Sequence, residues 1–160
     1  MRHLISCALL FTAAAWAGAA GGKEPLKAQF YADLGPDKID VSKYPKQQQE
    51  DYAVFRKSCS QCHTLARAVN SPWVTELEWQ RYVLRMHKRT EAQPGTVITE
   101  EAEKAIVDFL VFDAKARKVT GKKKFDALTA KLKARFEKLK AGRAKQQKRG
   151  EAGKAEKAAP

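Results

Sequence analysis

The chain has 160 residues and a formal net charge of +13. Residues 114–160 hold 17 Lys/Arg against 4 Asp/Glu, while the first 113 residues hold 14 of each. That length suits one ordinary domain with tails and excludes two comfortable ones, and the charge describes a neutral body with a cationic extension.

The N-terminus has the pattern of a secretory signal over residues 1–20. Arg2 and His3 give a short basic start, Leu4 to Trp16 is apolar, and Ala15, Ala17, Ala19 and Ala20 offer A-x-A-like cleavage points. The apolar run falls short of the roughly 20 residues of a membrane span, so export with cleavage is expected and an uncleaved tether is the alternative. Cleavage removes Cys7 and leaves Cys59 and Cys62 as the cysteines of the mature chain. Residues 21–46, with Pro25, Pro36 and Pro45, lack a helical period and are expected to form an extended lead wrapped on the domain. A first helix is predicted over Gln48 to Ser58, with Tyr52 and Phe55 on one face. Thr75 and Glu78 have the spacing of a capping box, which opens a second helix running to about Lys88. Its apolar residues Leu77, Trp79, Tyr82, Val83 and Met86 recur at helical intervals. Gln93-Pro94-Gly95 breaks the chain. Thr99 then caps a third helix, whose first turn carries Glu100 and Glu101 and whose buried side is Ala105, Ile106, Phe109, Leu110 and Phe112. In residues 115–160, Phe125, Leu128, Leu132, Phe136 and Leu139 form one stripe of an amphipathic basic helix. Beyond Gly142 the composition collapses to Lys, Arg, Ala, Gly, Gln and Glu, for which disorder is expected. No strand is predicted, and the fold class is all-α.

Cys59-Ser60-Gln61-Cys62-His63 is the C-x-x-C-H sequence of covalent haem attachment. Two thiols three positions apart at a helix end can both add to the vinyl groups of one porphyrin, and a following His is held under the ring to reach the iron. A thioredoxin-like pair needs a βαβ context, which the pattern lacks. A zinc site has only Cys59, Cys62, His63 and His87 to draw on. A body of under 70 residues, 47–114, is also marginal on apolar burial alone, and a covalent porphyrin would give its helices a common apolar plate.

With these residues the chain resembles small class I-type monohaem cytochromes c over about Gln47 to Ala114. Phe55, four positions before Cys59, stands where that family has an aromatic residue. Phe109, Leu110 and Phe112 match its last helix, and Trp79, Val83 and Met86 match its penultimate one. The resemblance implies a cytochrome c-like helical domain around one haem c, thioether-linked through Cys59 and Cys62, with His63 as proximal iron ligand. It also implies a proline carbonyl as acceptor for the His63 N–H, and Pro72 is the nearest candidate. The sixth ligand is narrowed by what remains: Met86 on the apolar face is expected, with His87 or an open position as alternatives. Trp79 is expected to pack near the porphyrin edge, or else to be plain core. A Met/His pair raises the potential relative to two nitrogen ligands.

The expected function is one-electron carriage between redox partners in the periplasm or another exported location, without catalysis. The alternatives are a haem protein with a labile sixth position, acting in catalysis or gas sensing, and a subunit of a larger redox complex. Export speaks against nucleic acid as the partner of the basic extension. It is expected either to fold back on its own domain, to dock on an acidic redox partner, or to lie on an anionic membrane face.

Overall fold

A computed structural model describes residues 28–93 and 95–157. The signal segment, the start of the lead and Pro94 lie outside the described residues. Five α-helices are present and no strand occurs among the described residues, so the chain is all-α: α1 (Lys46–Cys59), α2 (Ala66–Asn70), α3 (Glu76–Glu91), α4 (Glu100–Asp113) and α5 (Lys122–Lys157). No described helix is long and apolar enough to cross a membrane.

The central layer is α1 against α4. Phe55 and Phe109 are both fully buried and stack with ring centroids 5.4 Å apart, and Tyr52 sits 5.0 Å from Phe109. Side chains of this size each contribute about 1.5–3 kcal/mol when removed from water, so this aromatic triad anchors the body. Helix α3 adds Trp79, Tyr82 and Val83. Its start is the capping box expected from Thr75: the hydroxyl accepts from the Glu78 N–H (3.3 Å), and the Glu78 carboxylate accepts from the Thr75 N–H (2.8 Å). Thr99 caps α4 in the same manner, accepting from Ala102 N–H at 3.2 Å. Leu77 departs from its expected place in the apolar face. It is 55 % exposed, because it stands in the first turn, on the side of α3 away from α4.

The lead does wrap the body. It is pinned to α1 by the Ile39 N–H, which donates to Tyr52 Oη (2.9 Å), and to α4 by Tyr44 Oη, which donates to Asp113 (3.0 Å). Residues 31–34 form a single tight turn of helix. At Gly35 the backbone passes so close to Asn70 that a Cβ would fall onto the Asn70 amide, which faces the carbonyls of Ala32, Pro36 and Ala66. Gly95 (φ 84°) supplies the left-handed residue of the break between α3 and α4.

Two expectations about the extension are corrected. First, the chain does not part from the body after Ala114. Residues 114–120 continue α4 as a wider turn, with the Gly121 N–H donating to Ala116 O five residues back (3.0 Å). This stretch delivers Arg117 and Lys118 into the body. Arg117 forks onto the buried Asp113 carboxylate and donates to Val69 O (2.8 Å), while Lys118 is 6 % exposed. Second, the backbone beyond Gly142 is helical to Lys157 rather than disordered. Ala, Lys, Arg, Gln and Glu are the strongest helix formers, and in a run this rich they outweigh glycines costing about 1 kcal/mol each. The apolar stripe folds back as one of the expected readings had it: Leu128, Leu132, Phe136 and Leu139 form a second small core with Ala28, Tyr31 and Leu34 of the lead.

Candidate functional site

Cys59 is the last residue of α1, and the N–H of Ser60 closes that helix on Arg56 O (3.2 Å). The chain then turns outward through Cys62, His63 and Thr64 and re-enters the core at the buried Leu65. Both cysteines are free thiols, Cys59 half-buried and Cys62 exposed. They open onto a cleft of about 800 Å³, near the top of the range of about 300–1,000 Å³ usual for small-molecule sites. Cys59, Cys62, His63 and Thr64 form one side. Tyr82, Met86, Arg89 and Thr90 of α3 form another, Gln93 and Ile98 lie at its end, and Ala28, Gln29 and Asp33 of the lead, with Arg67 of α2, close the remaining side.

The ring of His63 is already oriented. Its Nδ1 lies 2.7 Å from the carbonyl oxygen of Thr64, which can only accept, so Nδ1 carries the proton and Nε2 presents its lone pair. A backbone carbonyl on the second nitrogen is the usual companion of a metal-ligating His. The expected acceptor, Pro72, is replaced here by the residue next in sequence, since the outward turn folds the ring over its own backbone.

The two candidates for the sixth ligand are separated by their neighbours. Met86 lines the cleft and packs on the core. His87, one residue on, turns to the other side of α3, where Nδ1 is 2.9 Å from Glu103 and Nε2 is 3.3 Å from Glu91. The Glu103 contact is close but poorly aligned for a hydrogen bond, and His87 Nδ1 is buried without a hydrogen-bond partner. His87 is thus engaged away from the cleft, and no group of three His, Cys, Asp or Glu side chains placed to hold a metal ion occurs among the described residues.

Phe55 and Trp79, the other expected contributors, do not line the cleft. Phe55 belongs to the aromatic triad. Trp79 lies behind the wall, edge-on to Trp73 (5.4 Å) and Tyr82 (5.9 Å), with the Lys118 ammonium 4.6 Å from its ring centroid. It is plain core. Sequence reasoning missed Tyr82, Arg67, Arg89 and the lead residues. Tyr82 had the spacing to be found, one turn before Met86; the lead residues carried no signal, because their place depends on α5.

Electrostatics distinguish the chemistry of the pair. Burial pushes the Cys59 thiol up to about 12, with Cys62 adding to the effect. A disulfide-exchange C-x-x-C needs the reverse, a first cysteine with depressed pKa. Burial likewise pushes Tyr82 up to about 12, so its hydroxyl stays neutral. Burial would raise Asp33, but the Arg67 hydrogen bonds and the N–H groups of Phe30 and Gln29 outweigh it and hold the carboxyl below its usual range. The donor set therefore suits a covalent porphyrin. It offers two thiols at one helix end, an oriented imidazole, a thioether on the facing helix, an apolar surface of Tyr82, Met86 and Ile98, and the guanidinium of Arg89 for acidic substituents. No protein-family model, curated protein or solved structure matches this chain, so the reading of its function rests on the residues of the cleft.

Proposed function

We propose that the chain is an exported one-electron carrier holding a single haem c. The observation that carries this reading is the convergence of Cys59, Cys62, His63 and Met86 on one cleft while His87 is held elsewhere. Cys59 and Cys62 would hold the porphyrin through thioethers, and His63 Nε2 and Met86 Sδ would hold its iron. The bound group would supply the ferric/ferrous couple. The chain's own residues orient the imidazole through Thr64, seat the thioether on a capped helix and line the cleft with apolar surface. With His63 and Met86 both holding the iron, the group would supply electron transfer rather than catalysis, and the sulfur ligand would favour a positive potential. The aromatic packing of α1 on α4 agrees with the resemblance to small cytochromes c. Residues 1–20 supply the export signal in this reading, which places the protein in the periplasm.

The basic extension offers mainly charge outward, because Leu132 is buried against the lead and Leu128, Phe136 and Leu139 pack partly on it. An acidic surface on a redox partner is therefore favoured over burial in a membrane face.

The test is the visible spectrum of protein expressed with c-type maturation machinery. Wild type and His87→Ala should be low-spin, with the weak far-red sulfur–iron band, and indifferent to carbon monoxide. Met86→Ala should lose that band and bind carbon monoxide. Carbon monoxide binding by the wild type would instead assign the protein to catalysis or gas sensing, and absence of covalent haem would end the reading.

A further inference from the structure

The side of the cleft formed by the lead is held on its body side by α2, where the Asn70 amide donates to Ala32 O (3.3 Å). Residues 28–34 contain one four-residue turn of helix, and ordering a backbone costs about 1–2 kcal/mol per residue. Toward the cleft, the lead is tied by Asp33, which accepts two hydrogen bonds from the Arg67 guanidinium (2.7 and 2.9 Å). On its outer side it is covered by α5. Leu132, 6 % exposed, is the centre of the small core with Ala28 and Leu34. Arg143 donates to Ala28 O (2.7 Å) and Arg135 to Leu34 O (3.4 Å). This core is separate from the one that holds α1, α3 and α4 together. The same residue, Ala28, lines the cleft on one side and meets α5 on the other.

We propose that the first half of α5 is a clamp that fixes residues 28–34 as a wall of the cleft and so limits solvent access to the haem. The inference rests on the haem reading for what the wall shields, and on the contacts above for the wall itself. A helix that served only as a charged tail would leave its apolar stripe free; here Leu132 is buried and Leu128, Phe136 and Leu139 are partly buried against a segment that is itself part of the site. Solvent exposure is one of the levers by which a protein sets haem behaviour, so the extension would act on the redox centre through the lead.

The experiment compares full-length wild type, Leu132→Asp and a control, Lys131→Asp, on the exposed side of the same turn. Hydrogen exchange of the amides of residues 28–34 is read first, then binding of imidazole to the ferric haem-loaded protein. Leu132→Asp should exchange at least tenfold faster over residues 28–34 with α1 and α4 unchanged, and should bind imidazole several-fold faster; Lys131→Asp should match wild type. The milder Leu132→Ala should show the same localised pattern to a lesser degree, and it decides the matter if the aspartate unfolds the chain. Unchanged protection of residues 28–34, or loosening that spreads equally through α1 and α4, overturns the clamp. Localised fraying in a chain that takes up no haem overturns the shielding role together with the haem reading. Localised fraying in a haem-loaded chain whose imidazole binding does not change overturns the shielding role alone.

Discussion

At the scale of single residues, the sharpest anomaly is Lys118. Its ammonium donates to Trp73 O (3.2 Å), lies over the Trp79 ring and is almost wholly buried. Burial lowers its pKa to about 7, Asp113 working against that shift and Arg117 with it. The sign follows from proton counting. Between about pH 7 and 10.5 the unfolded chain holds a proton that the folded chain has lost, so stability rises with pH across that window. Below about 7 the charged form is present in both states and the cost of burying it is felt in full. Wild type should therefore gain up to about 1 kcal/mol per pH unit from this group between pH 7 and 9. Lys118→Met should be more stable than wild type at pH 6, by about 1–2 kcal/mol, and should lose most of that advantage by pH 9. Denaturant melts of both proteins at the two pH values test this; parallel pH profiles would refute it. Nothing in the sequence marks Lys118 among its basic neighbours. Its burial comes from the wider turn over residues 114–120, a backbone feature with no local signature. The C-x-x-C-H sequence lies at the other extreme, since five consecutive residues carry both the proposed chemistry and its spacing.

At the scale of elements, the starts of α3 and α4 were legible because capping is local chemistry. Thr75 with Glu78, and Thr99 before a run of carboxylates, satisfy the first N–H groups of each helix without help from the rest of the fold. Helix ends were less legible: α3 runs to Glu91 and α5 to Lys157, each past its expected limit. Inward and outward faces were read correctly at Trp79, Tyr82, Val83 and Met86 and wrongly at Leu77, because periodicity alone does not say where a partner helix stops. The cap of α3 has a functional reach, since that helix carries Met86. Thr75→Ala should cost about 1 kcal/mol and lower the melting temperature by a few degrees. The sulfur–iron band should then disappear at a lower temperature than in wild type, in step with the loss of helix by circular dichroism. A band that survives unchanged would mean that Met86 is held by the core and not by the integrity of α3.

At the scale of the whole molecule, the chain is a neutral body inseparable from its basic helix. The three acidic side chains described on α5 are already engaged: Asp126 with Lys122, Glu137 with Lys140 and Glu151 with Gln147. Lys123, Lys124, Lys131, Lys138, Lys145 and Lys148 are exposed. Replacing these six with Gln leaves the apolar stripe and both arginine contacts to the lead intact. Reduced wild-type protein should be oxidised by the anionic probe ferricyanide several-fold faster than this variant at low ionic strength, with a steeper fall as salt is added. Equal slopes would place the steering field elsewhere. The order in which such a molecule completes itself follows from its connectivity. The contacts that join the lead to α5 link residues 101 and 115 positions apart, so they close a loop of nearly the whole described chain and form only once the last helix has been made, whereas those to α2 span 34 and 38 positions. A nascent chain therefore holds the wall beside Cys59 and Cys62 through its α2 contacts alone until α5 has been synthesised. The outer clasp on that wall closes only at the end, which in the proposed haem reading leaves the cleft looser while a bulky porphyrin would enter.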